Sequence, residues 1–341
     1  MYKRQKQWKE WIKEDLTSLA LCTIGTIGDR VPLRSDNRII IAEGLRRIRD
    51  IDHPALSTLF EGLPKDPTVR DMYQGPIPLV YTCRSKGGAN PFVEMVLNPP
   101  PYNELRKLWR DAREKSAEWQ KSADMAFASV LESPNLGNEY INIVYLPDLA
   151  PGLPGVCASR WVNFAGKPCV VMGGRGEVKG ECRAPYGYNL VEMLKSMGEL
   201  FISYGGHKPA AGFSADESDV EKIVDRMKAF ADAEWQGIPE RCIEVDDEAA
   251  PWDIDDNIKR CLSMVGPYGE GMAEPLFFVH NVQLIEVMSD GITRWRGTKG
   301  DFEFLVRNEN GKPIPKPHNT VCLLYKADRR GSFHLVDWKE E

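Results

Sequence analysis

Between residues 141 and 234 the hydrophobic pattern switches period repeatedly, and only an alternation of strands and helices accommodates that. INIVYLPDL (141–149) is an apolar run of strand length and reads as a buried strand. CVVMGG and EVKGECR read as the arms of a hairpin turning at Gly173–Gly176. SADESDVEKIVDRMKAF then reads as a capped helix with Val220, Ile223, Met227 and Phe230 facing inward. That order is the signature of an α/β domain.

The flanks read differently. NRIIIAEGLRRIR (37–49) has helical spacing with a basic face, and 102–131 is a long helical stretch with Leu105, Leu108, Trp109 and Ala112 at core spacing. Its Lys and Arg residues read as solvent-facing. Residues 237–257 are acidic, contain Pro239 and Pro251, and suggest a linker. From 277 strands dominate: FFVHNVQLIEVM, FEFLVR, TVCLLYKA and FHLVDW, separated by Gly, Asn and Pro. About five short strands of this kind fit a small barrel such as an OB-fold. The expected architecture is therefore α/β: a helical region over 1–125, a mixed-sheet domain with flanking helices over 126–240, and an OB-like β-barrel over 241–341. A chain of 341 residues is long enough for two or three such domains.

Composition narrows the function classes. No apolar run approaches the ~20 residues of a membrane-spanning helix, and MYKRQKQWKEWIKED is basic but lacks the apolar centre of a secretory signal. The eight cysteines are scattered with no CxxC pair, which argues against a zinc ribbon and for reduced thiols in a cytoplasmic protein. The net charge of −6 argues against indiscriminate nucleic-acid binding. The charge is uneven, however. Residues 158–208 hold seven Lys/Arg against four acids, and 214–256 hold four against fifteen. A local basic patch still grips phosphates when the total is negative, although the same counts describe an ordinary solvated surface.

Three short stretches carry candidate chemistry. SYGGHKPAAGF (203–213) sets His207 and Lys208 behind Gly205 and Gly206, where a bare backbone lets a ligand approach its amides. GLPGVCASRW (152–161) contributes Ser159 and Arg160, and KGECRAPYGYNL (179–190) contributes Arg183 ahead of a loop. Taken alone, the histidine equally suits a structural turn. Together these residues offer hydroxyl, guanidinium and imidazole donors without a carboxylate dyad, a set for holding phosphates rather than cleaving them.

The patterns G-x-x-G-x-x-A-S-R, K-G-x-x-R and G-G-H-x-x-A-A-G, in that order, resemble the DHH-associated domain of the RecJ branch of the DHH phosphoesterases, which are single-strand-specific exonucleases. The resemblance implies that Ser159, Arg160, Arg183 and His207 contact substrate phosphates. GPYGEGMAEPLF (266–277) resembles the stretch that opens the RecJ OB-fold, which holds the incoming single strand. IGTIGDRVPL (24–33), followed by Asn37 and Arg38, resembles the last motif of the DHH domain, so that 1–125 would be the remnant of that domain and its connecting helix. By resemblance Asp29 is a ligand of the catalytic manganese or magnesium, although an Asp before Arg-Val-Pro also suits a turn or cap. Arg84 in YTCRSKGG matches a family arginine in a comparable loop, and Trp295, Phe302, Phe304 and Tyr325 are candidates to stack on bases.

One departure is large. The family's two-metal site draws most of its ligands from an N-terminal DxD motif and a DHH triplet; these 341 residues contain no DHH, and no D-x-D stands ahead of IGTIGDRVPL, the two such strings at 50–52 and 253–255 lying after it. One aspartate cannot hold two divalent cations that each want about six oxygens. The resemblance thus implies a portion of an exonuclease that binds single-stranded DNA and is inactive alone, with Asp29 completed by the ligands of a DHH-bearing partner chain. The alternatives are a non-catalytic replication scaffold that binds the GINS complex and single-stranded DNA, and a small-nucleotide phosphodiesterase, against which the OB-like tail argues. Leu19, Leu21, Ile24 and Ile27 are expected to form an exposed apolar patch for a protein partner or for self-association.

Overall fold

A computed structural model describes residues 14–83, 91–236, 243–289, 293–297, 303–306, 319–327 and 333–340. They pack as two compact units. One takes in the chain up to Glu118 together with the C-terminal part from Val245, and the other runs Trp119–Glu244. The first and last sequence stretches thus share one unit.

Seven helices open the described chain: α1 (Leu16–Gly28), α2 (Ser35–Arg47), α3 (Pro54–Phe60), α4 (Val69–Gln74), α5 (Pro76–Thr82), α6 (Pro91–Leu97) and the long α7 (Tyr102–Glu132). Asp15 caps α1 by accepting the Ser18 amide at 2.9 Å, and a Thr68–Asp71 capping box starts α4. The expected apolar patch is not exposed: Leu19, Ile24 and Ile27 are buried and Leu21 is half-buried, because the neighbouring helices cover α1. On α7, Leu105, Trp109 and Ala112 are buried as expected, whereas Leu108 is 38% exposed. Position 108 lies about 100° round the helix from Trp109, off the core stripe.

The second unit is built on a sheet of order β1-β2-β3-β5-β4: β1 (Asn142–Leu146), β2 (Cys169–Gly173), β3 (Glu177–Arg183), β4 (Ser203–His207) and β5 (Ala210–Asp216). Only β1–β2 among these neighbours is parallel, joined by the crossover helix α8 (Leu153–Ala165). Side chains alternate between faces. Val144, Cys169 and Val171 pack with Ala158 and Trp161 of α8 and Phe127 of α7. Val170, Cys182, Ala211 and Phe213 face the other way, onto α9 (Leu190–Lys195) and α10 (Val220–Glu234). Val220, Ile223 and Met227 are buried there, and Phe230 is partly buried against Trp235.

In the C-terminal part the supposed linker holds a short strand β6 (Asp247–Glu248) and leads into a helix α11 (Asp256–Val265). Strands β7 (Phe277–Ser289), β8 (Thr293–Gly297), β9 (Glu303–Val306), β10 (Thr320–Ala327) and β11 (Phe333–Glu340) follow. The order is β10-β11-β9-β8-β7-β6, with a further β10–β7 ladder and a parallel β9–β11 pair. Residues 266–272 lie against the segment after α1. The Leu33 amide donates to Glu270 O at 2.8 Å, and the Arg38 guanidinium donates to the carbonyls of Val265, Gly266 and Pro267. Two motifs more than two hundred residues apart are joined this way.

Candidate phosphate-binding site

SYGGHKPAAGF is a β-hairpin rather than a loop: Ser203–His207 pairs antiparallel with Ala210–Asp216, turning at Lys208–Pro209. In antiparallel ladders, residues directly opposite share a face. Arg183 faces Ala210, which faces His207, so the three form one row across β3, β5 and β4. Glu181, Gly212 and Gly205 form the next row on the same face. Glu181 also stands opposite Val171, which places both rows on the face that α8 covers further along. Two strand spacings separate the Arg183 and His207 backbones by about 10 Å. Beyond α8 this face is nearly bare: Gly205 and His207 are exposed, and Ala210 and Gly212 half-buried.

The edge of the shelf is set by α8. A side chain at Gly155 would begin 3.0 Å from Arg183 Nη2 and 3.3 Å from Glu181 Oε2, so glycine lets the helix approach both groups. The Ser159 hydroxyl, one turn on, donates to Gly155 O at 2.9 Å. Arg183 donates to Glu181 Oε2 at 2.9 Å and Cys182 O at 2.8 Å. Its side chain is 28% exposed, and an ion pair so open to water is worth about 0–1 kcal/mol, which an incoming anion readily outbids. The Lys208 carbonyl accepts the Leu190 amide at 3.0 Å, while its side chain stands exposed in the turn.

Ser159, Arg183, Gly205 and His207 are therefore brought to one face. Arg160 is not placed with them. It leaves the helix about 100° from Ser159, pairs with Asp124 at 2.8 Å and lies over the Phe127 ring at 5.8 Å. Gly206 points to the opposite side of the strand, opposite Ala211. Arg84 lies outside the described residues, as do the side chains of Trp295, Phe302 and Phe304. Tyr325 is buried in the core, its hydroxyl donating to Ala249 O, and cannot stack on a base. Glu181 and Asp124 are the residues that the sequence did not point to. Glu181 was accessible by period-two reasoning from Arg183; nothing local marked Asp124 as the partner of Arg160.

Asp29 caps α1 through its backbone, its amide donating to Gly25 O, and its side chain is exposed. Among the described residues no group of three His, Cys, Asp or Glu side chains is placed to hold a metal. A single open carboxylate does not fit a divalent cation by itself. None of the seven described cysteines forms a disulfide; burial pushes Cys157 up to about 11 and Cys169 to about 12, leaving them inert as nucleophiles. No helix among the described residues is long and apolar enough to cross a membrane.

Residues 140–233 match the DHHA1 domain family. The single-stranded-DNA-specific exonuclease RecJ of Bacillus subtilis is 28% identical over 310 residues, 86% of this chain and 38% of the relative. That of Thermus thermophilus is 29% identical over 260 residues, 76% of this chain and 38% of the relative. Crystal structures of Thermus thermophilus RecJ with Mg2+ and with Mn2+ share the fold, at TM-scores of 0.76 and 0.77, 24% identity and 96% coverage of this chain, against 52% and 50% of theirs. The second unit thus carries a DHHA1 domain. The chain as a whole is similar to RecJ in sequence and fold, and spans 38% of the length of the two curated relatives.

Proposed function

We propose that this chain holds the phosphates of a single DNA strand on the DHHA1 shelf, as the substrate-binding portion of a RecJ-like exonuclease. The row Arg183–Ala210–His207 carries the reading, because it points a guanidinium and an imidazole to one face across a floor without bulky side chains. A phosphate on that floor accepts from Arg183 and His207 and draws the Ser159 hydroxyl from its helix carbonyl. The family's metals, present as Mg2+ or Mn2+ in the Thermus thermophilus structures, need a cluster of ligands that the described residues do not present. Carboxylates and histidines from outside these residues, with Asp29 beside them, would complete such a site. The C-terminal sheet, whose first long strand pairs with both the second and the fourth, supports an OB-like role in guiding the strand.

The test is a titration of labelled single-stranded oligonucleotides of two unrelated sequences. Arg183→Ala and His207→Ala are expected to lose about 1.5–3 kcal/mol each, roughly ten- to hundred-fold, equally for both sequences because phosphates carry no sequence information. Arg160→Ala, already held by Asp124, is expected to lose less. Wild-type affinity in folded Arg183→Ala and His207→Ala proteins would end the reading.

A further inference from the structure

A second cluster of cations lines a groove of about 440 Å³ between α3 and α7. Its floor is rigid and satisfied. Trp109 Nε1–H donates to the Thr58 hydroxyl at 3.1 Å, that hydroxyl donates to Pro54 O at 2.7 Å, and both residues are buried. The wall is charged: Arg106, Lys107, Arg110 and Arg113 all project from α7. Positions 106, 110 and 113 follow the i, i+4, i+7 stripe of one helix face and span about 10 Å along the axis.

The cations are poorly compensated. Glu61 is the one lining carboxylate, and it already accepts the Tyr102 hydroxyl at 2.7 Å and pairs with Arg106 at 3.5 Å. Arg110 reaches Asp111 at 3.3 Å and Glu114 at 4.0 Å on its own helix. Lys107 and Arg113 are exposed and make no ion pair among the described residues. Glu61 answers Arg106, and Asp111 and Glu114 answer Arg110, which leaves Lys107 and Arg113 as the like charges that an anion would bridge. The stripe is longer than a single phosphate, and arginine forks suit phosphate oxygens.

We propose that this groove is a second contact region for the phosphate backbone of a single-stranded nucleic acid, separate from the DHHA1 shelf. It shares with the reading above only the class of ligand.

The experiment titrates labelled oligothymidylate at 50 and 200 mM salt against wild type, the triple variant Lys107→Gln/Arg110→Gln/Arg113→Gln, and the shelf variant Arg183→Ala/His207→Ala. Each lost phosphate contact flattens the single-strand salt slope by ~0.7, so the triple variant is expected to lose about 2 from it. Its affinity deficit should then be roughly an order of magnitude larger at 50 mM than at 200 mM. Wild-type affinity and slope in the triple variant would overturn the proposal whatever the shelf variant does. Loss in the triple variant beside an unchanged shelf variant would support the groove and remove the shelf reading. Displacement by polyglutamate as efficient as by unlabelled oligonucleotide of equal charge would overturn the nucleic-acid assignment. If the triple variant unfolds, Lys107→Gln and Arg113→Gln singly, at exposed unpaired positions, must each show the smaller slope change for the proposal to stand.

Discussion

Gly205 and Gly206 are neighbours in the chain with opposite reasons to be glycine. Gly206 sits at φ +137°, and a Cβ there would lie 2.5 Å from Ala210 O and Ala211 Cα. Gly206→Ala is expected to cost about 1–3 kcal/mol of backbone strain, read by denaturant unfolding. Gly205 has no heavy atom within 4 Å of its would-be Cβ, so packing does not demand a glycine. Gly205→Ala should leave stability within about 0.5 kcal/mol of wild type. Oligonucleotide affinity should nevertheless fall, because the methyl group would stand on the floor where a ligand's backbone approaches. Unchanged affinity in Gly205→Ala would remove that floor from the binding surface.

At the scale of elements, the turn between β2 and β3 is held by groups outside it. Glu217 accepts the Gly176 amide and the Tyr145 hydroxyl, each at 2.7 Å, and Arg175 grips Asp148 with two bonds of 2.9 Å. The Gly176 amide first, then the Tyr145 hydroxyl, holds the Glu217 carboxyl below the usual carboxylate range. A depressed folded pKa means that the fold prefers the carboxylate. Its stabilisation is complete above the unfolded pKa of ~4.3 and fades as pH falls through the lower folded value. Melting temperature measured from pH 6 down toward 3 should therefore fall more steeply for wild type than for Glu217→Gln, and parallel curves would refute this. On the neighbouring ladder, the glycine of K-G-x-x-R has its own explanation. Gly180 lies opposite Phe213, whose ring occupies the space a Cβ would need, 2.2 Å away.

For the whole molecule, the prediction concerns catalysis. No group of three metal-ligating side chains exists among the described residues, and the sequence has no DHH triplet to add to Asp29. The purified 341-residue chain is expected not to degrade labelled single-stranded DNA with either manganese or magnesium. Metal-dependent degradation that disappears in Asp29→Ala would show instead that these residues suffice. The buried state of Leu19, Ile24 and Ile27 removes the apolar patch that would have argued for association at α1.

Periodicity and turn chemistry were enough to read β1, β2, β3, the β2–β3 turn, α10 and the long α7, because these depend on contacts within a few residues. The hairpin at 203–216 escaped that reading, since its glycines mask the period-two signal of a strand. Which donors share a face depended on ladder register between distant strands, and register puts His207 with Arg183. The helix α8 turns Arg160 instead toward Asp124 on α7. Likewise the link between Leu33 and Glu270 joins the ends of the chain through one backbone hydrogen bond and the Arg38 caps beside it. Local sequence sets which elements form; only long-range packing selects their neighbours, and the charge balance of the shelf and the groove follows from those neighbours.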